Sequence, residues 1–339
     1  MKKKIGTILQ YLFFFVLGFF FVWLSIRDID NEKWQQIQLA LKHTRYYLVG
    51  PVFIILILSH YARAMRWRLL IESLGYKPDK ANVFFAVLIG YLTNQGVPRL
   101  GEVLKCTLLA RYEKIPADKL IGTIILERLF DAICLLIIFG ITLAIQPNLF
   151  SQIIDMIFNT STGEKKERIS GSLIALILVG VILCIIIAWM IIRKKKFSDL
   201  LANIRMIGNR VWQGLSSLRH LKKRGQFLLY TLMLWALYLS GGYIGFQALE
   251  ATQHYGVKEA FTVLSAGSIG MIVSPGGIGG YALLIEGTMV VYGLQQSIAL
   301  AFGWLLWIAQ TVVILLGGLT SFALLPWHNR RRKAQSATT

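Results

Sequence analysis

Long apolar runs alternate with short polar connectors along nearly the whole chain. Uninterrupted runs fall at 8–26, 48–70, 119–146, 171–192, 226–249 and 298–325, each close to the ~20 residues that cross a bilayer core as a helix. Two further apolar regions are broken. Residues 82–112 are interrupted at Gly96–Pro98, and residues 259–293 at Ser274-Pro-Gly-Gly-Ile-Gly-Gly280. Proline and clustered glycine end helices. The halves on either side of each break, about 10–18 residues, are too short to cross a bilayer straight. Each broken region therefore predicts a re-entrant hairpin that enters, turns at depth and leaves on the same side. The predicted fold class is all-α: a polytopic membrane protein with six full spans and two re-entrant helical hairpins.

The elements repeat. Span 48–70, a hairpin and span 119–146 are followed by span 226–249, a hairpin and span 298–325. Following the spans across the bilayer, the first hairpin opens inward and the second outward. The pattern is an inverted repeat with halves at about 48–146 and 226–325, carried by hydropathy alone. It sits in one membrane domain, 1–325, followed by a basic tail, 326–339, expected to be disordered. Paired broken segments are the best sequence pointer to a transporter's central site. Among the connectors, 29–47 predicts a short outer helix through Trp34, Ile37 and Leu41. Residues 197–223 predict an amphipathic helix on the cytoplasmic leaflet, with Ile204, Ile207, Val211, Leu215 and Leu218 opposite Arg205, Arg210 and Arg219. The start, MKKKIGTILQYLFFFVLGFFFVWLSI, resembles a signal peptide but has no small-x-small cleavage site, and reads as an uncleaved first span.

Composition agrees with this class. The chain is 55% hydrophobic and 16% charged, against about 25% charged in soluble domains, and its mean hydropathy is +0.59. The net charge of +19 invites a nucleic-acid reading. However, the basic residues cluster beside apolar runs, as MKKK, RAMRWR, RKKK and NRRRK, and form no continuous soluble face. With the N-terminus in the cytoplasm, 25 of the 36 Lys and Arg lie inside, 8 outside and 3 within the membrane. That asymmetry orients both termini to the cytoplasm, and the expected location is the bacterial cytoplasmic membrane. The tryptophans, including Trp67 and Trp307, and Tyr281 read as interfacial belt residues. Cys106, Cys134 and Cys184 form no Cys-x-x-Cys pattern, and the five histidines have no ligand spacing, so no metal and no cofactor are expected.

The charges inside the apolar regions carry the candidate chemistry. In NQGVPRLGEVLK, a helix restarts after Pro98, and its free N–H groups favour an anion. Arg99, Glu102 and Lys105 follow at i, i+3 and i+6, roughly one face. The next span carries Glu127, Arg128 and Asp131, with the two acids one turn apart. A charge at mid-membrane costs at least about 2.5–3.5 kcal/mol, so these groups need partners or water. Arg63 and Arg66 in RAMRWR lie nearby; for them, positive-inside anchoring is the plainer reading. The second break offers Ser274, Pro275, Gly276, Gly277 and Gly279, whose small residues let backbone approach a ligand, and Glu286 follows on the exit helix. Two readings stand side by side: a salt-bridge network that locks helices, and a net-basic site for a phosphate headgroup. SPGGIGG is likewise either a ligand-approach loop or only a tight turn.

These motifs, RxxRW, N-x-x-x-P-R-x-G-E, E-R-x-x-D and P-G-G-x-G, together resemble the flippase-like proteins: the transmembrane region of lysylphosphatidylglycerol synthases and its stand-alone relatives. The resemblance covers about residues 5–325. It implies lipid handling across the bilayer, with Asn94, Pro98, Arg99, Gly101, Glu102, Glu127, Arg128, Asp131, Pro275, Gly276, Gly277 and Gly279 as motif positions. In the two-domain synthases a further soluble domain makes the aminoacylated lipid. This chain stops at Thr339, so no aminoacyl transferase activity is expected, and a separate lipid-modifying enzyme is a possible partner. Many relatives place a glutamate where this chain has Ala282, and Glu286, one turn on, is the nearest carboxylate. The leading expectation is a translocase that moves a phospholipid or polyprenyl phosphate through a polar cavity between the two hairpins, binding through Arg63, Arg66, Asn94, Pro98, Arg99, Gly101, Lys105, Arg128 and the residues Ser274–Gly277 and Gly279. Glu102, Glu127, Asp131 and Glu286 would form its charge network. The alternatives are a membrane glycosyltransferase with a polyprenyl-phosphate donor, and a non-catalytic accessory subunit.

Overall fold

A computed structural model describes residues 16–27, 29–97, 99–147, 221 and 223–338. The span expected at 171–192, the start of the first span and nearly all of the amphipathic helix expected over 197–223 lie outside them. All regular structure among the described residues is helical. Four helices are long and apolar enough to cross a membrane: Tyr46–Ser73, Ala117–Ile145, Arg224–Ala248 and Gln296–Gln335. They fall on the spans expected at 48–70, 119–146, 226–249 and 298–325.

In chain order, α1 (Val16–Ile26) and the short α2 (Asn31–Lys42) precede α3 (Val49–Ser73), α4 (Lys80–Gly96), α5 (Leu100–Glu113) and α6 (Ala117–Ile145). Then come α7 (Arg224–Ala248), α8 (Val257–Val273), α9 (Gly280–Val291) and α10 (Gln296–Thr338). Asp30 caps α2 by accepting from the Lys33 N–H at 2.8 Å. The helix buries Ile37 and half-buries Leu41, but Trp34, expected on the same face, is exposed.

Both broken regions fold back on themselves. In the first, Asn82 near the start of α4 bonds Glu113 at the end of α5, and Asn94 near the end of α4 bonds the Gly101 N–H. In the second, Thr262 of α8 bonds Tyr292, which caps α9, while Gly270 lies against Gly280 and Tyr281. These pairings make α4–α5 and α8–α9 antiparallel hairpins. Their bases lie at opposite ends of the bundle. The first base meets the end of α10 at Asn329, and the second meets the end of α6, where Tyr292 bonds Gln146.

Packing between the halves is reciprocal. α3 packs on α7, its counterpart; α10 packs on α4, and α6 packs on α8. Exchanging the two units leaves these three contacts unchanged, and α10 packs on α3 as well. Each unit also has its own core. One joins Trp67, Ile71, Val83, Cys106, Leu109 and Leu120; the other joins Phe246, Val263, Ile285, Met289 and Phe302.

The tail expected to be disordered is helical instead: α10 runs through Pro326 to Thr338. Proline removes one helix hydrogen bond, and a sequence as basic as NRRRK shows no apolar face to hold a helix. Tertiary polar contacts hold it. Asn329 exchanges hydrogen bonds with Asn82 at 2.7 and 3.0 Å, His328 Nε2 lies 3.0 Å from Asp79, and Arg332 pairs with Glu113 at 3.0 Å. Asp79 also caps α4 by accepting from the Ala81 and Asn82 N–H groups.

Partial burial opposes the Asp79 charge, but the Asn82 N–H and His328 outweigh it and hold the carboxyl below its ordinary value. A depressed folded-state pKa contributes stability above the unfolded value of about 3.9 and loses it as pH falls through the folded value. Asp79→Ala is expected to cost about 1 kcal/mol from the cap alone. It should also loosen the α10 extension, read as faster tryptic cleavage at Arg330–Lys333 at neutral pH.

Candidate functional site

Arg63 and Arg66 sit one turn apart on α3, facing Glu127 and Asp131 one turn apart on α6. Arg63 Nη1 donates to Glu127 Oε1 at 3.2 Å and to Asp131 Oδ2 at 2.5 Å. Arg66 Nη2 donates to Asp131 Oδ1 at 2.5 Å and lies 3.5 Å from Glu127 Oε1. Lys105, from α5, reaches Glu127 Oε2 at 3.2 Å. The five groups are largely removed from solvent: Arg66 is 0% exposed, Glu127 1%, and Asp131, the most open, 15%. Three cations against two carboxylates leave a buried net charge of +1. A buried pair of this kind stabilises little relative to apolar packing, but removing one partner is costly.

Aromatic groups line the network. Tyr238 of α7 accepts from Arg63 Nη2 at 3.2 Å, and the Arg63 guanidinium lies 5.9 Å from the Tyr91 ring. Lys105 Nζ sits 4.6 Å over the Trp67 ring, a cation–π contact. Trp67 itself is fully buried and donates to Thr123 at 2.9 Å.

The network leads outward through hairpin 1. Arg128 and Glu102 pair at 2.7 Å, with side chains 44% and 30% exposed. They share a recess with Tyr91, Asn94, Gly101 and Lys105, with space for about one water molecule. Charge thus runs from an open pair through a narrow recess to Lys105 and the buried arginines.

The sequence-predicted residues divide among several roles. Arg63, Arg66, Lys105, Glu127 and Asp131 meet directly, so two residues whose plainer reading is surface anchoring are buried cations of the site. Arg128 pairs with Glu102 rather than within its own E-R-x-x-D motif. Asn94 caps α5 by accepting from the Gly101 N–H at 2.8 Å. Gly101 is needed because a Cβ there would fall on the Gly90 carbonyl, which lets α4 and α5 touch. Arg99 is exposed, at the cap of α5 with φ 68°, outside the helix that carries Glu102 and Lys105. Pro98 lies outside the described residues.

The second hairpin approaches from the other side. Gly276, Gly277 and Gly279 have φ of 60°, 75° and 69°, which glycine alone adopts without strain. A Cβ at Gly276 would meet the Gln95 side chain, and one at Gly279 the backbone of Phe21 and Val22 in α1. Ser274 bonds back to the Gly270 carbonyl at 2.9 Å. Pro275 opens the 3₁₀ turn Pro275–Gly277, whose Gly276 carbonyl accepts from Trp307 Nε1 at 3.0 Å. The hairpin tips therefore touch, Gln95 against Gly276. The recess beside Lys105 is lined by hairpin 1 and α6 without the glycine turn, so it does not lie between the two hairpins as the sequence predicts. Glu286 accepts from Gln296 at 2.8 Å, on the second hairpin's own side. Ala282 packs against the Gly303 backbone of α10.

Three aromatic assignments change. Trp67, Trp307 and Tyr281 are not belt residues: Trp67 is fully buried under Lys105, Trp307 pins the glycine turn, and Tyr281 is buried, with Gln310 Nε2 donating to it at 3.4 Å. Tyr91, Gln95 and Tyr238 also belong to these contacts, without a signal in the sequence. A single polar aromatic or amide in an apolar run carries no periodic signal. Only Trp67, between two arginines in RAMRWR, offered a local hint.

The model of the family described as lysylphosphatidylglycerol synthase TM region matches residues 8–318. The chain belongs to this family. The match takes in both hairpins and the whole charge network, and stops short of the His328–Arg332 contacts. The chain is also similar to a UPF0104 membrane protein of Methanocaldococcus jannaschii, 29% identical over 119 residues, which is 34% of each chain. It therefore spans about a third of that relative's length. No solved structure matches.

Proposed function

We propose that this protein moves a phosphate-bearing lipid headgroup, of a phospholipid or a polyprenyl phosphate, across the bacterial cytoplasmic membrane. The observation that carries the reading is the buried cluster of Arg63, Arg66, Lys105, Glu127 and Asp131, of net charge +1, joined to an open Arg128–Glu102 pair by a recess. Ionisable groups within apolar helices mark substrate and ion pathways, and paired guanidiniums suit a phosphate oxyanion. In this reading α4–α5 and α8–α9 are re-entrant from opposite leaflets, with the hairpin-1 end and both termini cytoplasmic. The reciprocal packing of the halves supports rocking of one unit against the other, which would expose the arginines to each leaflet in turn. The carboxylates hold the cations in place between substrates. A transferase reading asks for an acid–base carboxylate free of cations, whereas Glu127 and Asp131 each touch at least two.

Leaflet exchange of labelled lipids in proteoliposomes tests the proposal. Wild type is expected to accelerate exchange of phosphatidylglycerol or a polyprenyl phosphate over protein-free vesicles. Arg66→Gln should remove most of that acceleration while still inserting. Equal rates for wild type, Arg66→Gln and empty vesicles would contradict it.

A further inference from the structure

The two carboxylates of the network are not equivalent. Glu127 is 1% exposed and touches all three cations, Arg63, Arg66 and Lys105, at 3.2–3.5 Å. Asp131 is 15% exposed and spans only the two arginines, one oxygen to each, at 2.5 Å. It lies between the guanidiniums as a bidentate anion with both oxygens used. The guanidiniums still hold donors in reserve. Among the described residues none accepts from Arg63 Nε, Arg66 Nε or Arg66 Nη1, all of them buried. Buried N–H donors are seldom left in this condition. A tetrahedral phosphate offers more acceptor oxygens than a carboxylate, and a singly charged phosphate taking the place of the Asp131 carboxylate leaves the cluster's charge balance unchanged.

We infer that the Asp131 carboxylate is a displaceable internal anion, which occupies the place between Arg63 and Arg66 that a phosphate group takes, while Glu127 is the fixed counter-charge. This rests on the proposed phosphate-handling role of the network and adds a gate to it. Phosphate binds by exchange with Asp131, so the carboxylate sets the affinity and keeps other anions off the arginines. The side chain swings from the two guanidiniums toward its more open side as the phosphate enters. No covalent bond changes.

Binding and melting measurements on the full-length protein in detergent test the exchange, with inorganic phosphate and short-chain phosphatidylglycerol as probes. Chloride at equal ionic strength and diacylglycerol are the controls. Removing the competitor should tighten the phosphate probe about tenfold in Asp131→Asn relative to wild type, as for an ordinary coupling between two sites. Asp131→Ala should melt lower than wild type and recover in a dose-dependent way with the phosphate probe, but not with chloride. Should Asp131→Ala fail to fold, Asp131→Asn, nearly the same shape, still gives the affinity ratio. The charge-balanced pair Arg66→Met with Asp131→Ala should lose the phosphate response.

Rescue by phosphatidylglycerol but not by diacylglycerol assigns the anion to a lipid headgroup, and rescue by inorganic phosphate alone assigns it to the free ion. Equal phosphate affinity in wild type and Asp131→Asn, or no recovery with either probe, overturns the inference. That failure is distinct from failure of the transport reading, because wild-type leaflet exchange is measured without altering Asp131.

Discussion

Glu127→Gln is expected to destabilise the protein more than any other single change in the charge network. Glu127 is 1% exposed and is the common partner of Arg63, Arg66 and Lys105. A neutral amide of the same size leaves three buried cations facing Asp131 alone, a net charge of +2. Breaking a buried pair by neutralising one side costs about 3–5 kcal/mol, because the remaining charge stays desolvated. The effect reads directly as a fall in melting temperature in mild detergent. A compensating change isolates the cause. Adding Lys105→Met to Glu127→Gln returns the net charge to +1 and should recover part of the loss, a coupling a double-mutant cycle measures. A Glu127→Gln protein that melts like wild type would mean that the cations find other partners and that the cluster is not a closed charge system.

The second large effect is steric and lies in hairpin 1. Gly101 faces Gly90 across the α4–α5 interface, and a Cβ on Gly101 would fall on the Gly90 carbonyl, while one on Gly90 would lie 2.9 Å from the Gly101 carbonyl. Both obstacles are backbone, so no side-chain rotation relieves them. Gly101→Ala must therefore push the two helices apart, strain the Asn94 cap at 2.8 Å and displace Lys105, one turn on. Overpacking of this kind costs about 1–3 kcal/mol. The expected result is a lower melting temperature together with loss of leaflet exchange. Gly96→Ala is the control: nothing lies within 4 Å of a Cβ there, and the substitution should be silent in both assays. If Gly101→Ala is also silent, the close contact is not what sets the hairpin.

The long spans were legible because twenty apolar residues have one economical solution in a bilayer. The breaks were legible because proline next to clustered glycine strongly disfavours a continuous helix, whereas Pro326 alone does not end α10. Gly276, Gly277 and Gly279 do take positive φ, and α4 does end at Gly96. Partner choice was not legible, since pairing within a motif looks the same in sequence as pairing across helices. Arg128 sits beside Glu127 and three residues before Asp131, yet it bonds Glu102, and the arginines that serve those acids come from α3. RAMRWR illustrates the reason: a basic run at a span end reads as surface anchoring, and only the packing of α3 against α6 turns Arg63 and Arg66 inward. The extension of α10 was missed for a similar reason. Its stability comes from Asn82, Asp79 and Glu113, more than two hundred residues away in sequence. The glycine turn was read as a ligand-approach loop or a tight turn; its φ values, and its contacts with Gln95, Trp307 and α1, give each glycine a structural reason.

In the proposed function the Arg63–Arg66–Lys105 cluster receives a lipid phosphate from the bilayer. An experimental density map of the protein in nanodiscs rich in phosphatidylglycerol tests it most directly. The expected result is headgroup density with its phosphate within about 3 Å of a nitrogen of Lys105, Arg63 or Arg66, continuous with acyl density leaving past Arg128 and Glu102. Lipid confined to the outer surface of the bundle, with the cluster closed and unchanged at saturating lipid, would contradict it.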